Sequence, residues 1–106
     1  MGTVDLPPAV RMALNLTTVL ARTHGIVADL HGFLLHGEAL ISVCAGLVVR
    51  ASTHRYQWVV PGSAYRRGRP LWTYASRPAR AAARLAIEYE QLRTQSVTAT
   101  VLRARC

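Results

Sequence analysis

The sequence predicts an α+β fold, a two-layer sandwich with an N-terminal helix, an antiparallel meander of four to five strands, and a C-terminal helix. Three observations carry that prediction. Two stretches, 9–23 and 78–93, place apolar residues at helical spacing. The chain between them alternates β-branched and aromatic residues with polar ones, broken by glycines and short polar turns. With 106 residues, about half of them apolar, the chain is sized for one modest core. A single domain over 1–106 is therefore expected, with an ordered core over about 6–93 and with 94–106 as an edge strand or a frayed tail.

Asp5-Leu6-Pro7-Pro8 reads as a helix start, because proline and acid are tolerated in a first turn. Along the helix that follows, Arg11, Asn15, Thr18 and Arg22 form a narrow polar stripe. Val10, Ala13, Leu14, Leu16, Leu20 and Ala21 fill the rest, so wide an apolar face that a mostly buried helix is expected. Gly25 is placed to end it as a left-handed cap.

Ile26–His31 alternates with strand period, Ile26, Ala28 and Leu30 on one side and Asp29 and His31 on the other. Gly32 and Gly37 bracket a turn around Phe33-Leu34-Leu35. Ala39–Ala51 is β-rich, and Gly46 within it marks a turn or bulge between two strands, or a bend in one. An aromatic hairpin follows, Tyr56–Val60 and Leu71–Ala75, closed by the long loop 61–70. Ser76 is placed to cap the second helix, with Pro78 in its first turn. On that helix Ala81, Ala82, Leu85, Tyr89 and Leu92 share one face and Arg80, Arg84 and Gln91 the other. Arg84 and Glu88 are spaced as an i,i+4 pair. Val97–Leu102 alternates with β-branched residues, which suits a last edge strand.

In layout, Gly25–His31, Ala45–Val49 and Ala82–Tyr89 together resemble the short α+β proteins common in actinobacteria. That resemblance covers roughly residues 10–93, implies a bacterial cytoplasm, and brings no activity. Ser76–Ala83 is similar to the basic, alanine-rich opening of the second helix of the double-stranded-RNA-binding domain, also α-β-β-β-α. The chain departs from that family in three ways: a proline stands at a basic position, an extra strand follows the first helix, and the Gly-Pro-x-His loop is missing.

The charge is lopsided: 13 basic residues against 5 acidic ones, a formal +8, with every basic residue an arginine. An all-arginine bias reflects GC-rich coding, yet its field still attracts phosphate polymers, anionic surfaces or acidic proteins. The apolar run Ala39–Val49 is too short to cross a bilayer, and no basic segment precedes an apolar one at the start, so no membrane span or export signal is expected. Two cysteines, Cys44 and Cys106, do not make a disulfide framework and fit a reducing cytoplasm.

Catalysis has little to work with. The acids Asp5, Asp29, Glu38, Glu88 and Glu90 form no spaced pair, and Cys44 lies in an apolar strand where a thiol is normally inert filling. His24, His31, His36 and His54 show no metal-ligand spacing with the cysteines, although His31 and His36 can meet across their turn. No glycine-rich phosphate loop follows a strand. The expectation is a protein that is not an enzyme, with no cofactor, metal or small-molecule substrate.

What remains is binding. Arg55, Tyr65, Arg66, Arg67, Arg69, Arg77, Arg80 and Arg84 gather at the hairpin loop and the second helix start, where guanidinium forks and the helix dipole both suit phosphate. A nucleic acid is the expected partner. Tyr56 and Trp58 share strand parity, as do Trp72 and Tyr74, so all four are read as lining one hairpin face. That face is expected to be core under the helices, the other reading being a stacking platform for bases. A scaffold or homodimer using the apolar face of the first helix is the alternative from another class.

Overall fold

A computed structural model describes residues 6–33, 37–62 and 68–105. Helix α1 (Pro8–His24) leads into strands β1 (Asp29–Phe33), β2 (Ala39–Cys44), β3 (Leu47–Ala51), β4 (Tyr56–Val59) and β5 (Trp72–Ala75), and helix α2 (Pro78–Arg105) ends the chain. The strands form one antiparallel sheet in sequence order, and both helices supply residues to the same core on one of its faces. The expected two-layer α+β meander is the observed architecture.

Pro8 stands at the first position of α1, where its missing N–H leaves no bond unmade. At the other end Gly25 takes the left-handed conformation, φ 67°, which costs glycine nothing because it has no Cβ. The Gly25 and Ile26 amides then return to the carbonyls of Ala21 and Leu20, closing the helix and tucking Ile26 into the core. The buried stripe is narrower than the sequence suggests. Ala9, Ala13, Leu16 and Leu20 are buried, while Leu14 and Ala21 are exposed beside the polar stripe. Alanines at the buried positions Ala9 and Ala13 of α1, and Ala81 and Ala82 of α2, let the two helices lie close together over the sheet.

Three sequence expectations are corrected here. β1 begins at Asp29 rather than Ile26, because the cap of α1 takes up Gly25 and Ile26, and it runs on to Phe33 through an irregularity between Leu30 and Phe33. Residues 97–102 belong to helix α2, not to an edge strand, since β-branched residues cost a helix only a few tenths of a kcal/mol each and do not stop one. The carbonyl of Arg77 accepts the first helical bond of α2, from Ala81 at 3.0 Å, so Arg77 and not Ser76 holds the cap position.

Each strand sorts its residues by parity. Ala39, Ile41 and Val43 of β2, Leu47, Val49 and Ala51 of β3, and Tyr56 and Trp58 of β4 all face the helices and are buried. The turn at Ala45-Gly46 joins β2 to β3, as two strands and not one bent one. Tyr56 donates its hydroxyl to the main-chain oxygen of Met12 in α1 at 2.6 Å. Trp58 donates its indole N–H to Glu88 of α2, also at 2.6 Å. Two aromatics with one polar tip each therefore tie the sheet to both helices.

The register of β5 overturns the single-face expectation for the aromatics. Tyr56 pairs with Ala75, Gln57 with Tyr74, Trp58 with Thr73 and Val59 with Trp72. Thr73 and Ala75 therefore join the core face, and Trp72 and Tyr74 stand on the opposite one, 41% and 49% exposed. The core reading holds for Tyr56 and Trp58 and fails for Trp72 and Tyr74. No helix among the described residues is long and apolar enough to cross a membrane.

Candidate functional site

β5 is the last strand of the sheet, and its free edge is where the open sheet face meets the start of α2. An edge carbonyl needs a donor. Arg84, one and a half turns into α2, supplies it: one guanidinium nitrogen donates to the Tyr74 carbonyl at 2.8 Å and the other to the Thr73 hydroxyl. The same guanidinium lies over the Trp58 ring, 5.1 Å from its centroid. Arg84 is therefore half-buried and held in place, not paired side by side with Glu88 as helical spacing suggests.

Around that anchor Arg55, Arg77, Arg80 and Arg84 come together with Tyr74, Ala75, Ser76 and Ala79, lining a concavity of about 930 Å³. No carboxylate is in that lining. Arg55 enters from the turn before β4 and stacks on Tyr74, 4.7 Å from the ring centroid. The side chains of Arg77 and Arg80 are exposed and make no ion pair or hydrogen bond among the described residues. Ala79 and Arg80 follow the proline at the start of α2, so their amide N–H groups have no helical acceptor and add partial positive charge to the same place.

Glu88 is the acid nearest in influence, and it is turned to Trp58 instead. Burial pushes its carboxyl above the usual carboxylate range, offset in part by the indole hydrogen bond and then by the charge of Arg84. The Cys44 thiol is likewise pushed up by burial, which favours its protonated form. Among the described residues no three His, Cys, Asp or Glu side chains are grouped to hold a metal.

Of the eight residues singled out from the sequence, the structure brings Arg55, Arg77, Arg80 and Arg84 to one concavity. Arg69 is exposed in the loop and is not part of the lining. Tyr65, Arg66 and Arg67 lie outside the described residues, as does His36 of the histidine pair considered across the β1–β2 turn. Sequence reasoning missed Tyr74 as a lining residue because it was assigned to the core. It also missed Arg50, which lies over the Trp72 ring at 5.6 Å on the open face. Strand parity carried that second signal: Arg50 pairs with Gln57, which pairs with Tyr74, in one row across the outer face.

No protein family, curated protein or solved structure matches this chain.

Proposed function

We propose that the chain is a non-enzymatic nucleic-acid-binding protein that holds backbone phosphates in the Arg55–Arg77–Arg80–Arg84 concavity. The observation that carries this reading is four guanidinium groups around one cleft with no acid in its lining, in a chain of formal charge +8. Arg84 and Arg55 are already held by neighbours, so they lose little side-chain freedom on binding. Arg77 and Arg80 are the free forks that suit phosphate oxygens bidentately. Arg69, and Tyr65, Arg66 and Arg67 in the adjoining loop, extend the same basic stretch of sequence.

Fluorescence anisotropy with labelled oligonucleotides over a range of salt tests it. Wild type should bind at low salt and weaken steeply as salt rises, about 0.7–0.9 in the log–log slope for each phosphate contacted. Arg77→Ala with Arg80→Ala should leave folding intact and flatten that slope by roughly 1.4–1.8, two contacts' worth. Absence of binding to any DNA or RNA at low salt overturns the reading.

A further inference from the structure

The outer face of the sheet has no role in the phosphate cleft except through Tyr74, which belongs to both. Both helices pack on the other face. On the outer face Val59 pairs with Trp72, and Arg50, Gln57 and Tyr74 form the next row. A second concavity of about 330 Å³ sits there, lined by Leu40, Gly46, Val48, Arg50, Val59 and Trp72. Large aromatics at 41% and 49% exposure are normally placed inward, and in this strand the inward positions went to Thr73 and Ala75.

We propose that this face is a stacking platform for the unpaired bases of a single polynucleotide strand, Trp72 and Tyr74 carrying one base each. The inference rests on the phosphate-binding reading and deepens it by naming the strand's state. Three physical arguments select the occupant. First, each ring carries a guanidinium over one face, Arg50 on Trp72 and Arg55 on Tyr74, so a base stacked on the outer side of either guanidinium–ring pair meets positive charge beside its own phosphate. A purely apolar protein partner would have to bury those two charges.

Second, the platform is continuous with the arginine cleft through Arg55 and Tyr74, so one strand reaches both without a break. Third, Trp72 and Tyr74 are two residues apart on one strand, about 6.7 Å along its axis. That is twice the ~3.4 Å rise of stacked bases in a duplex strand. Neighbouring bases meet both rings only when pulled out of their own stack, and a duplex does not offer base faces at all. The geometry selects single strands.

The test uses the intact chain and labelled single strands of roughly 12 nucleotides, of DNA and of RNA, with the same-sequence duplex alongside. Trp72→Ala with Tyr74→Ala is compared with Trp72→Phe and Tyr74→Phe, and far-UV circular dichroism checks that each stays folded. The expected result is a single-strand preference in wild type and a loss of about tenfold or more in the double alanine variant, with the salt slope kept. The phenylalanine variants, which retain a ring, should hold most of the affinity. Whichever sugar binds more tightly identifies the polymer, and either supports the platform. Duplex binding as tight as single-strand binding overturns it, and so does a double alanine variant that binds like wild type. If wild type binds no polynucleotide at low salt, the phosphate reading itself has failed, and this inference with it. If binding persists but only the Arg77 and Arg80 changes weaken it, the cleft stands and the platform falls.

Discussion

Tyr56 and Trp58 on β4, and Trp72 and Tyr74 on β5, are two aromatic pairs with the same spacing on neighbouring strands. The first pair is fully buried and the second is among the exposed large hydrophobic side chains described. Composition does not separate them, and neither does periodicity within either strand. The separation comes from the connection. Val60 donates its amide to the Leu71 carbonyl at 2.8 Å, so 61–70, an even number of residues, lie between paired positions. With an even loop and no bulge, cross-strand partners have opposite parity, and even-numbered residues on β4 and β5 must take opposite faces. The difference teaches that the phase of one strand against the next is a property of the loop.

The largest expected effect breaks this symmetry directly. Trp58→Ala should cost about 3–5 kcal/mol, the usual range for truncating a buried aromatic, and should come close to unfolding a domain whose total stability is of the order of 5–15 kcal/mol. Trp72→Ala should cost less than about 1 kcal/mol, since it removes an exposed ring and one arginine stack. Urea unfolding of both, at unchanged m-value, checks this. Equal costs would mean that the pair on β5 is core after all.

A smaller effect separates the two tyrosines. Tyr56→Phe removes the hydroxyl that donates to Met12, and should cost about 0.5–1.5 kcal/mol. Tyr74→Phe should stay within about 0.5 kcal/mol. The Tyr56 phenol also titrates differently from a free one, because burial pushes it up to about 12. The folded state therefore keeps a proton that the unfolded chain releases above about pH 10, and stability falls as pH rises from there towards 12. Tyr56→Phe removes that alkaline loss, so the two proteins should differ in slope above pH 10 and not below it.

How much was legible follows from the same physics. Helix and strand identity came through because buried faces impose periods on the sequence: Ala9, Ala13, Leu16 and Leu20 in α1, and Ile41, Val49 and Trp58 in the sheet. The arginines of the cleft were legible as a cluster, since Arg77, Arg80 and Arg84 occupy one stretch of one helix and Arg55 precedes the strand beside it. Their individual roles were not. Arg84 reads as a helix-surface partner of Glu88, but an edge strand with an open carbonyl at Tyr74 was the stronger acceptor, and edges are set by topology. The tail reads as strand from its β-branched residues, yet a helix already nucleated continues at low cost per residue. The misplacement of Trp72 and Tyr74 has the cause already given, a parity fixed ten residues away.

The smallest effect concerns the carboxylate that helps to hold Trp58 inside. Glu88 accepts the Trp58 indole N–H at 2.6 Å, and burial raises its pKa more than that bond and the Arg84 charge together lower it. A carboxyl raised in the folded state binds its proton more tightly there than in the unfolded chain. The folded state thus carries a penalty for the ionised form that is fully present above the folded pKa. It is relieved as pH falls towards the ordinary glutamate value of about 4.3, so this group's contribution to stability rises on acidification. Glu88→Gln keeps an acceptor oxygen for the indole and removes the charge. It should therefore be at least as stable as wild type at pH 7, with the two urea midpoints converging as pH approaches 4. A variant that is less stable at pH 7 and runs parallel to wild type down to pH 4 would show the opposite balance. Attraction between Glu88 and Arg84 would then outweigh burial, and the polar end of Trp58 would be held by an ion pair instead of by a carboxylate at odds with its surroundings.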